Sequence, residues 1–362
     1  MPKSKYLIIL IILACLNALG ILYFFSESIE RSDTARYVQT IEYFWGEAGT
    51  PSPSSLVKPL SMVTAAFLAP LAGPRGALFL QNLLFYFASI ILVFEIIKLL
   101  YFNERQALFG AVLFMTSFPM LENSLSFLTD MTGWFFLILV IYLTLLFYRK
   151  PSFKLVLIAG FLSGTGFLFK ESGVGGAIFF ASLLLFSDKF KWPEKIKYGL
   201  IFSLCVILPI FVSILLISNI FNYSYFDWYR ANLASGNKDY TWQNIIQQMA
   251  VMFLLGWIFV VRGAWQEWRG LREIRDRKPI LLAMVPLFFT GFLWPMPVAR
   301  VLFMGAPLLL CLASRGLLFP KKPWLEISLL ALVVAINYAL PNIFNIGDLN
   351  RLLGLILSKT LL

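Results

Sequence analysis

Leu128-Thr129-Asp130-Met131-Thr132-Gly133-Trp134-Phe135-Phe136-Leu137-Ile138-Leu139-Val140-Ile141-Tyr142-Leu143-Thr144-Leu145-Leu146-Phe147-Tyr148-Arg149-Lys150 decides the fold. Residues 131–148 carry no charge and would extend about 27 Å as a helix, close to the ~30 Å hydrocarbon thickness of a bilayer. A carboxylate closes one end of the run and two cations close the other.

Ten further apolar runs lie outside it: residues 6–25, 76–100, 106–121, 153–169, 173–186, 197–221, 243–261, 279–294, 298–313 and 324–340. In lipid every backbone polar group needs an internal partner, so such a chain is expected to be all-α and polytopic, with about eleven spans. Several runs are short, and 173–186 must thin the bilayer locally or borrow flanking residues. The composition agrees: 59% of residues are hydrophobic and 14% charged. The expected organisation is one membrane domain over 1–362, with a first outer loop at 26–75 and a tail at 341–362. Run 6–25 is read as a retained anchor, because no small-residue cleavage site follows it.

Orientation follows from Lys and Arg. With a cytoplasmic N-terminus, 20 of the 30 Lys and Arg face the cytoplasm, from Lys3 through Arg149, Lys189 and the run Arg262–Lys278 to Lys322. Only 8 of the 19 acidic residues accompany them. The net charge of +11 is therefore a topology signal spread over short loops, and a nucleic-acid-binding patch is excluded. The expected location is the plasma (inner) membrane, with Asp33 and Asp130 on the extracytoplasmic side.

Histidine is absent, which excludes His triads, His metal sites and His proton relays. Cys15, Cys205 and Cys311 all lie in apolar runs without ligand spacing. Carboxylates, lysine, arginine and tyrosine remain to carry chemistry. Asp33, just past the first run, can either cap the helix that follows or act as a general base on a substrate arriving from water. Asp130 has the same capping alternative; otherwise it orients an acceptor, raises the pKa of Asp33, or holds a divalent cation. Lys58, Lys170 and Arg300 snorkel to the interface on the plain reading, or form a cradle for phosphate. Glu171 pairs with Lys170. Tyr37, Trp45 and Trp134 are candidates for stacking on a substrate ring, and the aromatics of 223–242 form an interfacial belt. Residues 60–71, about 18 Å as a helix, are too short to span and belong in the interface.

These residues carry a resemblance. Asp33 with Tyr37, then Lys58-Pro59-Leu60 opening a short interfacial helix, resembles the first outer loop of the GT-C superfamily of integral-membrane glycosyltransferases. Lys58-Pro59-Leu60 is similar to the Lys-Pro-Pro-Leu of the lipid A aminoarabinose transferases. Thr129-Asp130, the run from Gly160 to Gly164 with Phe169-Lys170-Glu171, and Arg300 resemble elements of that superfamily and its protein O-mannosyltransferase branch. The chain departs from the pattern in its single proline after Lys58 and in the absence of an acidic neighbour to Asp33.

The resemblance, which spans roughly residues 1–315, implies a hexosyl or pentosyl transferase. It would move a sugar from a polyprenyl-phosphate donor to an extracytoplasmic lipid, glycan or protein, with inversion. Asp33 would be its base, Asp130 a second acidic site, Lys58, Lys170 and Arg300 its phosphate ligands, and Tyr37 and Glu171 substrate contacts. No cofactor is required beyond a divalent cation as an option. Two other classes stay open: a lipid-linked saccharide or solute transporter, and a non-catalytic GT-C-like subunit. No internal repeat of the kind many transporters carry is visible.

Overall fold

The computed structural model describes residues 5–47, 49–236, 241–270, 277–293, 298–319 and 322–343. Arg272 and Arg275, the Pro295-Met296-Pro297 turn and the tail beyond 343 lie outside the described residues. Among the described residues the chain is helical and contains no strand. Helices α1 (Lys5–Phe24), α2 (Thr34–Trp45), α3 (Pro53–Leu56), α4 (Pro59–Tyr101), α5 (Glu104–Met115) and α6 (Phe118–Asn123) form the first half of the chain. They are followed by α7 (Asp130–Arg149), α8 (Phe153–Phe169), α9 (Gly175–Phe186) and α10 (Trp192–Phe221). The remainder comprises α11 (Tyr225–Gly236), α12 (Trp242–Phe253), α13 (Gly256–Arg269), α14 (Lys278–Thr290), α15 (Ala299–Leu302), α16 (Ala306–Gly316) and α17 (Pro323–Ile343).

Among the described residues six helices are long and apolar enough to cross a membrane, seven if α12 and α13 form one broken span. Three shorter apolar helices, Phe153–Phe169, Glu171–Phe186 and Lys278–Leu293, add to these. Each of the eleven apolar runs is thus largely helical, and the protein is a polytopic α-helical membrane protein. The figure of eleven spans is not established by these lengths.

Two runs read as single spans are broken. The 243–261 run bends by 89° between α12 and α13. Leu254 takes φ 44° there, and the Trp257 indole donates to the Met249 carbonyl at 2.7 Å across the corner. The bend leaves no trace in hydropathy, because both limbs are apolar. The 106–121 run stops at Thr116-Ser117, whose hydroxyls return to the Val112 and Phe114 carbonyls at 2.8 and 2.7 Å. Pro119 then starts α6 near its first turn, where a missing N–H costs nothing. The Arg262–Lys278 stretch is helical through Arg269, and Arg262 lies over the Phe319 ring at 3.5 Å.

The first outer loop folds onto the bundle. α2 buries Tyr37, Thr40 and Ile41, spaced at three and four residues, against Met62, Ala65, Ala66 and Ala69 at the start of α4. α4 is two helices in one: Gly73, at φ 70° and ψ 171°, breaks it between the interfacial 59–72 limb and the long limb that follows. Only glycine reaches that backbone geometry without strain. The segment 60–71 is therefore a limb separate from the long one that follows Gly73.

Candidate functional site

Five segments deliver polar side chains to one end of the bundle: α2, the start of α4, the start of α7, the turn after α8 and α15. Lys58, immediately before Pro59, is buried, and its ammonium donates to the Tyr37 hydroxyl at 2.9 Å. It lies 5.3 Å from the Tyr37 ring centre and 5.9 Å from that of Trp228 on α11. Burial alone would pull its pKa down. The Tyr37 hydroxyl and the Glu171 and Asp130 carboxylates outweigh that penalty and hold the pKa above the ordinary lysine value, so the ammonium stays charged.

Asp130, the first residue of α7, is only 4% exposed. Its Oδ1 faces Lys170 Nζ at 3.7 Å and its Oδ2 faces an Arg300 guanidinium nitrogen at 3.5 Å. Lys170 also lies 3.9 Å from Glu171. Asp130 Oδ2, Glu171 Oε1 and Ser172 Oγ are buried without a hydrogen-bond partner, beside the cations that face them.

The surroundings are stitched to hold this arrangement. Ser61 donates to the Phe169 carbonyl at 3.0 Å, and Gln81 donates to Ser61 while accepting from Thr64 at 2.8 Å. Asn82 binds the Ser126 and Leu128 carbonyls at 2.6 and 2.7 Å, fixing the strap that leads into Asp130. The Arg31–Glu122 ion pair at 2.8 Å and the Phe127 N–H to Ile29 carbonyl bond at 2.9 Å fasten that strap to the first outer loop.

Six of the seven site residues expected from sequence come together: Tyr37, Lys58, Asp130, Lys170, Glu171 and Arg300. Asp33 stands at the rim. Its side chain is 39% exposed, lies 3.6 Å from Arg36, and is close enough to act electrostatically on Arg300. The capping readings fail for both aspartates. Asp33 occupies the position before α2 but its side chain makes no cap bond, and Thr129, not Asp130, precedes α7. Nearby cations compete for these carboxylates and win.

Trp134 was a stacking candidate, but it is buried and packs edge-on against Phe303 at 4.8 Å, so it belongs to the core. Trp45 ends α2 half-exposed, away from the cations described above. Two contributors escaped the sequence reading. Trp228 was counted in the interfacial belt. Gly133, one turn after Asp130, allows the turn after α8 to close in: a Cβ there would lie 2.8 Å from Lys170 Cβ. A glycine three residues into a span, on the face of the acidic residue, was the available clue.

Among the described residues no group of three or more His, Cys, Asp or Glu comes together. Both Asp130 oxygens instead face cations, a donor set that does not fit a divalent ion.

Residues 59–215 match the family model described as dolichyl-phosphate-mannose-protein mannosyltransferase. No match was found among curated protein sequences. The fold is similar to that of ArnT from Cupriavidus metallidurans bound to undecaprenyl phosphate, with TM-score 0.67 and 17% identity over 91% of this chain and 64% of that one. It is also similar to the apo oligosaccharyltransferase of Archaeoglobus fulgidus, with TM-score 0.64 and 13% identity over 98% of this chain and 56% of that one. The chain therefore spans less than two thirds of the length of either structure.

Proposed function

We propose that this chain is a membrane glycosyltransferase that uses a polyprenyl-phosphate-linked sugar, a reading supported by the family-model match over residues 59–215 and by the likeness of the fold to ArnT and the archaeal oligosaccharyltransferase. The observation that carries the proposal is the pairing of Lys170 and Arg300 with the buried Asp130 carboxylate at the end of the bundle, with Lys58 held beside them on Tyr37. Three cations face two carboxylates, Asp130 and Glu171, which leaves net positive charge at the start of α4. A lipid-borne phosphate fits that charge and that position. The undecaprenyl phosphate bound in the ArnT structure supports the same class of donor.

The proposed reaction is a displacement at the anomeric carbon. The acceptor oxygen forms the new bond to that carbon as the bond to the phosphate oxygen breaks, with inversion. The acceptor proton passes to Asp33, the carboxylate at the water-facing rim. The negative charge developing on the departing phosphate is met by Lys58, Lys170 and Arg300. Asp130 acts through those cations as a positioning residue, and its pairing with Lys170 and Arg300 opposes a divalent ion at that point. Tyr37 orients Lys58, and Glu171 restrains Lys170. The acceptor is an extracytoplasmic lipid, glycan or protein.

Asp33→Asn tests this most simply, because it keeps size and removes the base. In reconstituted membranes, release of polyprenyl phosphate from the sugar-linked donor should fall ~10²–10⁴-fold. Undecaprenyl phosphate binding should be unchanged. Normal turnover by the variant would remove Asp33 from the mechanism. Absence of turnover by the wild-type chain across lipid, glycan and protein acceptors would favour a non-catalytic role.

A further inference from the structure

The bundle has a second charged opening, at the end opposite Asp130. A cavity of about 620 Å³ lies between the ends of α4 and α7, the start of α14 and the turn after α9. Leu99, Leu100, Leu145 and Ile280 form an apolar wall, and Arg149, Lys189, Arg277 and Asp188 bring charge to it. Asp130 and Arg149 are the two ends of α7, some 30 Å apart along a twenty-residue helix. The cavity is therefore separate from the proposed transfer site. The excess of Lys and Arg assigns its face to the cytoplasm.

Two of the cations are held in place by the backbone. Arg149 donates to the Leu99 carbonyl and stacks 4.6 Å from the Phe102 ring centre. Lys189 donates to the Tyr148 carbonyl, and to the Arg149 carbonyl at 3.1 Å. Arg277 lies 3.7 Å from Glu267 and 4.9 Å from the Tyr101 ring centre, and Arg315 shares Glu267 at 3.6 Å. Four cations thus face two carboxylates, Asp188 and Glu267, so the surroundings stay positive. A guanidinium carries five N–H donors, and the bond to the Leu99 carbonyl leaves Arg149 able to reach a further acceptor. Phosphate is the group that such planar donors match best.

We infer that this cavity binds one anionic phospholipid, its phosphate held by Arg149, Lys189 and Arg277 and an acyl chain laid along Leu99, Leu100, Leu145 and Ile280. Size, charge and the apolar wall each fit that occupant. The cavity is of ligand size, and its cations sit at the level where an inner-leaflet headgroup would lie. A soluble phosphate compound would match the cations but leave the apolar wall uncovered.

The test is native mass spectrometry of the full-length protein in detergent, titrated with phosphatidylglycerol, phosphatidylcholine or inorganic phosphate. A phosphatidylglycerol adduct is expected at tenfold or more lower lipid concentration than a phosphatidylcholine adduct. Lys189→Gln with Arg277→Gln should weaken it at least tenfold. Leu99→Trp, which narrows the apolar wall and removes no charge, should weaken it too and guards against a folding defect in the charge variant. Lys58→Ala at the other end should leave it unchanged, which separates this site from the proposed donor site. Equal retention of the two lipids, or an adduct indifferent to both cavity variants, would overturn the assignment. So would loss of the adduct in Lys58→Ala alone. Displacement by millimolar inorganic phosphate would point to a soluble anion and would also overturn the lipid assignment.

Discussion

The two ends of α7 handle charge by different means. At the Asp130 end, cations from three separate segments are gathered on or around one buried carboxylate: Lys170 at 3.7 Å and Arg300 at 3.5 Å, with Lys58 anchored beside them on Tyr37. At the Arg149 end, around an open cavity, Arg149 and Lys189 are anchored on the backbone carbonyls of Leu99, Tyr148 and Arg149, and of the lining cations only Arg277 lies against a buried carboxylate, Glu267 at 3.7 Å. A buried carboxylate fixes where a cation must sit, because leaving either partner unpaired in low dielectric is costly. Helix C-terminal carbonyls are weaker attractors and tolerate more latitude. The first arrangement suits a reaction whose leaving group must be met at one point. The second suits a headgroup that only needs to be held.

The comparison rests first on the two ends facing opposite sides of the membrane. Glu47→Cys, just beyond α2 on the Asp130 side, should react completely with a membrane-impermeant thiol reagent on intact cells. Lys150→Cys should be protected until the membrane is opened. The reverse pattern would invert the topology and place the proposed reaction in the cytoplasm.

Removing the organising carboxylate should have the largest energetic effect. Asp130→Asn leaves Lys170 and Arg300 without their shared counter-charge, and breaking a buried pair typically costs about 3–5 kcal/mol. Asp188→Asn, at the exposed margin of the opposite cavity, should stay within about 0.5 kcal/mol, as surface changes usually do. Thermal unfolding of the two variants in one detergent measures the difference. Equal losses would mean that Asp130 is no more deeply committed than Asp188.

Gly133→Ala probes the same end with a smaller perturbation. The new methyl meets Lys170 Cβ at 2.8 Å, so the turn after α8 has to move. Overpacking of this kind costs about 1–3 kcal/mol. Donor affinity should fall with it, because Lys170 is displaced from Asp130. A variant with native stability and native donor binding would show that the close approach is incidental.

Much of this was legible in the sequence, for identifiable reasons. Apolar runs report helices because a bilayer leaves no other way to satisfy the backbone. Lys58-Pro59 marked a helix start with a lysine at its head, and Asp130 stood out as a carboxylate opening an apolar run. The failures share a cause. Hydropathy is blind to the 89° corner at Leu254, since the corner is closed by a Trp257 hydrogen bond and not by a proline or a charge. Trp134 reads as a stacking candidate by position, yet packing on Phe303 from a distant segment buries it. The capping readings of Asp33 and Asp130 considered only neighbours in sequence, whereas the partner that decides Asp130 is Arg300, brought in by the fold. Trp228 reaches Lys58 from α11, a helix that no local pattern connects to α4.

The central claim is that the cations around Asp130 hold a lipid-linked phosphate, and Lys58 tests it most directly. A charge-assisted contact to phosphate contributes about 1.5–3 kcal/mol. Titrating undecaprenyl phosphate into the wild type and Lys58→Ala in nanodiscs should therefore show binding weakened roughly 10- to 150-fold, from the same principle. Lys58→Arg should recover part of the loss, and Lys170→Ala and Arg300→Ala should shift affinity in the same direction. Unchanged affinity in Lys58→Ala, Lys170→Ala and Arg300→Ala alike would contradict the account.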